Sequence, residues 1–280
     1  MTYFVIGVFL VLLGGIFIYM MKSSQGTFAA LALTREYTAK ELRDIYDSVA
    51  KEVGKGTFKE MVEIKGRIVC DSPLTGEMSK EKCVYFKNEI VRDIEESYYE
   101  QDAEDNNKKV LKTRKITETI CSKERQADFY IQDETGRTKV NPENADMTNG
   151  LSKAIDRYEP AAAVSYNEGL MNWGGFSFRM SSEYHHQQEG RKVLGYKFTE
   201  YVFPMDKNIF ILGEATDSMG ELTIARPVSG ATTDFIISTK SAEELKASAK
   251  GSIATFKVLS IVSFAAGVAL MIMGLIKGLK

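Results

Sequence analysis

A mainly β domain of the α+β class, a small antiparallel barrel or sandwich, is predicted between two transmembrane α-helices. Three observations predict it. Apolar runs long enough to cross a bilayer lie near both ends, the interior repeats with a period of two, and turn signals separate its short stretches.

Tyr3 to Met21 and Val258 to Ile276 are each 19 consecutive positions without Asp, Glu, Lys or Arg. At about 1.5 Å per residue, each run as a helix covers a hydrocarbon core about 30 Å thick. Of 36 basic and 38 acidic residues, only Lys257, Lys277 and Lys280 fall outside residues 22–256. The first run has no basic leader, exceeds the usual signal-sequence core, and ends in Met20-Met21-Lys22 without a small-x-small cleavage pattern. It reads as an uncleaved anchor. Lys22, Arg35 and Lys40 follow the first span, and Lys240, Lys246, Lys250 and Lys257 precede the second. The outer tails offer only the N-terminal amine, Lys277 and Lys280, so the bias predicts a cytoplasmic central domain.

The expected divisions are 1–21 for the first transmembrane helix, 22–57 for a linker and amphipathic helix, and 58–240 for the β-rich domain. A juxtamembrane helix over 241–257, a second transmembrane helix over 258–276 and a tail over 277–280 complete the chain. Gly7 and Gly14 are one heptad apart, as are Ser260, Gly267 and Gly274, and Ser263-x-x-x-Gly267 is a small-xxx-small step. Such stripes let helix backbones approach closely in lipid, so these six residues are the expected packing contacts between the spans. Glycine is also simply frequent in membrane helices.

Thr38 and Glu41 form a capping box that opens the amphipathic helix, and Gly54 stops it. Leu42, Ile45, Tyr46, Val49 and Val53 make one apolar face, which suits packing on its own domain, a membrane or a partner. Then the period becomes two. Val62, Ile64, Gly66, Ile68 and Cys70 alternate with Glu63, Lys65 and Arg67, a half-buried strand closed by the turn cluster Asp71 to Gly76. A second strand starts at Cys83 and runs through Ile90 and Val91, and Val110 to Ile120 returns. Between them, Asp93 to Asp105 holds seven acidic residues and no basic one. Without an EF-hand pattern, that run reads as a solvated hairpin tip. Phe129 to Asp133 and Thr138 to Val140 flank a turn at Glu134 to Arg137, a hairpin with its glycine in place. Residues 145–190 read as irregular. Strands resume at Val193 to Phe203, Ile209 to Glu214, Glu221 to Ala225 and Phe235 to Ser238, with Asp206 to Asn208 as a turn. Ser241 and Glu244 form a second capping box before the last helix.

The chemistry is defined by what does not assemble. A net charge of −2 gives no basic field for nucleic acid. No P-loop, Rossmann glycine pattern or G-x-S-x-G elbow occurs. His185-His186-Gln-Gln-Glu189 lacks the H-E-x-x-H order, and adjacent histidines diverge on either a helix or a strand, so an exposed polar loop is expected. Cys70, Cys83 and Cys121 are too few for a disulfide framework. They read as small buried hydrophobes, with a Cys70–Cys83 bridge left open for an oxidising compartment. No catalytic residue, metal ligand or cofactor site is assigned.

Several segments, in order, resemble the GIDE family, whose domain is also called Beside-A-Membrane (BAM). They are Glu63 to Cys70 with the Ser72-Pro-Leu74 turn, Lys82 to Phe86, Phe129 to Gly136 with Val140-Asn-Pro142, Glu200, Ile211 to Glu214, and Phe235 to Lys240. The best-known members are mitochondrial and chloroplast membrane E3 ubiquitin ligases, in which a RING finger follows the second helix. A RING holds two tetrahedral zinc ions, each with a full set of Cys/His ligands. This chain has three Cys and two His and ends four residues after the second span. The resemblance therefore implies a RING-less, non-catalytic scaffold holding a partner protein at the bilayer. The alternative is the recognition part of a ligase or quality-control assembly whose catalysis comes from another chain. The lipid bilayer, an unknown protein partner and a homo-oligomer are the expected associations, without nucleic acid.

Overall fold

The computed structural model describes residues 2–101, 108–167, 170–179, 190–228 and 234–278. Two apolar helices flank a β-rich centre, and the chain forms two compact units.

The first unit comprises residues 1–67, 131–149 and 208–280. Helix α1 (Thr2–Leu33) and helix α3 (Ala242–Gly278) are each long and apolar enough to span a membrane. Residues 22–33, read from sequence as a link, are the last turns of α1 instead. The reason is burial. Ala30 and Leu31 pack with Phe210, Leu212, Ile236, Ala242 and Leu245, and this apolar contact outweighs the weak helix preference of Ser23, Ser24 and Gly26. The juxtamembrane helix and the second span are likewise one uninterrupted helix, opened by Ser241, whose hydroxyl accepts from the Glu244 amide at 3.2 Å.

Between these helices a barrel closes. Strands β1 (Lys59–Val69), β5 (Phe129–Gln132), β6 (Arg137–Val140), β13 (Thr223–Ala225) and β12 (Asn208–Thr216) pair in that order, and β12 pairs back to β1. Strand β14 (Ile236–Ser238) is added beside β12. The β1–β12 register sets Val62 against Gly213 and Ile64 against Ile211, so the apolar alternation seen in the sequence fills the interior. Helix α2 (Ala39–Glu52) lies on this barrel. Its capping box is intact, its Ala39 amide donates to Asp133 Oδ2 at 2.7 Å, and Leu42 and Tyr46 are buried. The apolar face of α2 is thus used within the domain.

The second unit comprises residues 68–130 and 150–207. Its centre is the long pair β3 (Lys82–Gln101) and β11 (Arg191–Pro204), joined by β2 (Leu74–Thr75), β4 (Lys109–Gln126) and β7 (Ser152–Pro160). A small sheet of β8 (Ser165–Asn167), β9 (Leu170–Trp173) and β10 (Phe176–Arg179) packs on it through Met171, Phe176, Phe178, Ile90, Ile120 and Phe198. Much of the segment that read as irregular is therefore β-structure. The three- and four-residue strands of the small sheet contain too few alternations for a period to register, and the nine residues of β7 are exposed or half-buried throughout, without a buried alternate face. Gly174 and Gly175 form the β9–β10 turn at φ of 54° and 79°.

Candidate functional site

A concavity of the second unit lies at the start of β3. The loop from Gly76 to Glu81 folds back on itself, with the Gly76 amide donating to Glu81 O at 2.8 Å and the Lys80 amide to Gly76 O at 3.1 Å. Its anchor is Glu200 of β11, which is fully buried. The Met78 and Ser79 amides each donate to a different oxygen of that carboxylate at 2.8 Å. A Cβ on Gly76 would stand 2.7 Å from Glu200 Oε2, so only glycine admits the carboxylate this close.

The anchored loop orients Glu77 across the sheet. Glu77 accepts from Asn88 Nδ2 at 3.0 Å and pairs with Lys123 of β4. Beside it opens a cleft of about 590 Å³ walled by Lys80, Lys123, Arg179, Cys121, Phe176 and Phe178. The two phenylalanine rings stack at 5.7 Å, and behind them Trp173 stacks on Phe198 at 4.1 Å. Three cations against one carboxylate around an aromatic floor suit an anchor that is partly apolar and partly acidic. Burial first, then Glu77, pushes the Cys121 thiol up, and burial pushes Cys83 to about 11. All three cysteines are free thiols, and Cys83 and Cys121 are held protonated rather than poised as nucleophiles.

Further along the same sheet the acidic run meets its counter-charges. Arg92 Nη2 lies 2.7 Å from Glu118 Oε2, Arg191 Nε 2.7 Å from Glu96 Oε1, and Arg114 Nε 2.6 Å from Glu96 Oε2. Glu96 of β3 thus faces cations on β4 and β11, whereas Arg92 of β3 faces an acid on β4, so charge is balanced across the strands. Arg114 first and then Arg191 hold the Glu96 carboxyl below its usual range. A depressed folded-state value stabilises the fold above the unfolded carboxylate pKa, about 4.3, and that contribution is lost as pH falls through the lower folded value. Glu96→Gln is therefore expected to melt below the parent chain at neutral pH, with the two melting curves converging on acidification below that range.

Among the residues expected to pack, Gly7, Gly14, Gly267 and Gly274 stand where α1 and α3 approach each other. A Cβ on Gly7 would meet Gly267 O at 2.7 Å, and one on Gly267 would meet Gly7 O at 2.8 Å. Gly14 stands against the Phe264 ring and Gly274 against Phe4 N. Ser260 and Ser263 are buried, the former donating to Lys257 O at 2.8 Å. His185 and His186 lie outside the described residues. The cleft itself was not assembled from sequence, although one signal was present. Glu200 is the lone acid between Phe198 and Val202 on an apolar strand face.

A β-rich centre flanked by two helices long and apolar enough to span a membrane has the architecture of a membrane-associated protein. The GIDE family, described as an E3 ubiquitin ligase, matches residues 97–272. With more than half of its length matched, the chain belongs to the GIDE family. The match starts after the segments at Glu63 to Cys70 and Lys82 to Phe86. The chain is 24% identical over 219 residues to the E3 ubiquitin-protein ligase SPL1 of Arabidopsis thaliana, covering 78% of this chain and 56% of that protein. It spans about half the length of that curated relative. No solved structure matches it.

Proposed function

We propose that the chain is a membrane-anchored recognition module of the GIDE type, holding a partner protein at the bilayer through the cleft of its second unit. The observation that carries this reading is the cleft. A fixed loop and a stacked aromatic floor present Lys80, Lys123 and Arg179 together on a rigid sheet. The bias of lysine and arginine toward the inner ends of the helices supports a cytoplasmic domain with both termini on the opposite side. The Beside-A-Membrane reading and the scaffold role belong to this proposal.

Family membership favours a second reading, the recognition half of a ubiquitin-ligase type of assembly. In that reading these 280 residues, with three Cys and two His against the full ligand set of a RING, supply recognition and not zinc-dependent transfer. A photocrosslinking residue at Ser177, on the cleft wall, tests both readings in native membranes. A discrete protein adduct that disappears with Lys123→Glu is expected. Adducts to lipid alone, or a protein adduct indifferent to that charge reversal, would remove the cleft from the proposal. A zinc-binding adduct partner would select the ligase-type reading.

A further inference from the structure

The first unit contains a second polar cavity, placed where the apolar stretches of its two long helices end. Its volume is about 180 Å³, and hydroxyl groups dominate its lining: Ser23, Ser24 and Thr27 from α1, and Ser248 and Ser252 from α3. Asp146 and Asn149 close one side above an apolar floor that includes Leu31 and Leu245. Met21 ends the first apolar run and Val258 begins the second, so Ser23 and Ser252 lie about 3 Å and 9 Å along their helices from the apolar stretches. The headgroup layer of a bilayer is on the order of 5–7 Å deep on each side. The α1 side of the cavity therefore falls at the depth of lipid headgroups, and its α3 side just beyond them.

Its polar arms are fixed in advance. The Asp146 amide donates to Phe235 O at 2.7 Å and its carbonyl accepts from the Ile237 amide at 3.0 Å, so the backbone beneath the carboxylate is pinned to β14. One carboxylate oxygen, Oδ1, accepts from the Thr148 amide at 2.9 Å. Asn149 is held by the Thr239 hydroxyl, which donates to its carbonyl at 2.8 Å. Prior fixation of this kind lowers the ordering cost of binding.

The lining chooses among headgroups. Among the described residues no lysine or arginine lines the cavity, so a headgroup with only negative charge finds no counter-ion there. Nor does an aromatic ring among the described residues line it, so none of them cages a quaternary ammonium. A primary ammonium suits Asp146, which accepts its hydrogen bonds with opposite charge, and serine and threonine hydroxyls donate to phosphodiester oxygens. We propose that this cavity binds the headgroup of phosphatidylethanolamine, with the ammonium on Asp146 and the phosphodiester between the hydroxyls of α1 and α3.

The test uses the full chain in phosphatidylcholine nanodiscs that contain phosphatidylethanolamine and phosphatidylglycerol in equal amounts. Lipids retained after detergent extraction are counted by native mass spectrometry. Selective retention of phosphatidylethanolamine is expected, falling roughly ten-fold or more in Asp146→Asn, the scale of one charge-assisted hydrogen bond. Asp146→Asn keeps an oxygen for the Thr148 amide, and an unchanged melting curve confirms that it folds. Ser248→Val, which removes a hydroxyl from the opposite wall, is expected to lower retention as well. Equal retention of the three lipids, or retention unaffected by either variant, would overturn the assignment. Soluble phosphoethanolamine binding as tightly as the lipid would assign the cavity to a free metabolite and also overturn it.

Discussion

Gly267→Leu is expected to lower the stability of the full chain in detergent by about 3 kcal/mol, at the upper end of overpacking penalties. The added atoms would enter at 2.8 Å from Gly7 O and 2.9 Å from Val11 Cγ2. Neither helix can yield by a rotamer change, because the obstacle on α1 is partly backbone. The whole α1–α3 contact must open instead. Gly15→Leu supplies the control, since nothing lies within 4 Å of a Cβ there. Its effect is expected to stay within about 0.5 kcal/mol, as for an unencumbered surface substitution. Thermal unfolding that failed to separate the two variants would reject close glycine packing as the basis of the helix pair.

Glu200→Ala is expected to remove about 3 kcal/mol, because it leaves the Met78 and Ser79 amides without their acceptor in a partly buried loop. Glu200→Gln keeps one acceptor oxygen and is expected to lose about half as much, since its amide nitrogen cannot accept the second bond. The loop itself reports the cause. Amide exchange at Met78 and Ser79 should accelerate in both variants, while exchange in the β3–β11 ladder stays slow unless the whole unit opens. Release of the loop also displaces Glu77, so crosslinking from the cleft should fall in Glu200→Ala before global unfolding. Retained protection of those two amides would show that the carboxylate does not hold the loop.

These two sites show which parts of the molecule were legible in the sequence. The two long apolar helices were legible because a helix able to cross lipid requires a long run without charge, and Tyr3 to Met21 meets that requirement. The barrel strands were legible because one of their faces is buried, which stamps Val62, Ile64 and Ile68 onto alternate positions. The small sheet over residues 165–179 was not, because its strands are shorter than the pattern that would reveal them. The end of the first helix was misjudged for a different reason. Local propensity at Ser23 to Gly26 pointed to a break, whereas contacts of Ala30 and Leu31 with residues nearly two hundred positions later decide the matter. The cleft needs three distant segments to meet, around Gly76, Cys121 and Phe176, and a single sequence holds no record of that meeting. Only Glu200, an acid on an apolar face, signalled that something there required an anchor.

The unbroken course of α1 and α3 out of their apolar stretches sets a stand-off height. The 12 residues of α1 after Met21 and the 16 of α3 before Val258 correspond to about 18 Å and 24 Å of helix. Two rods joined to one barrel wall by Ala30, Leu31, Ala242 and Leu245 do not swing as a loose tether would. With both helices crossing a bilayer, the barrel would be confined to a thin shell parallel to it. Within that shell, encounters with other membrane-bound proteins become a search in two dimensions at raised effective concentration, so even a modest intrinsic affinity yields high occupancy.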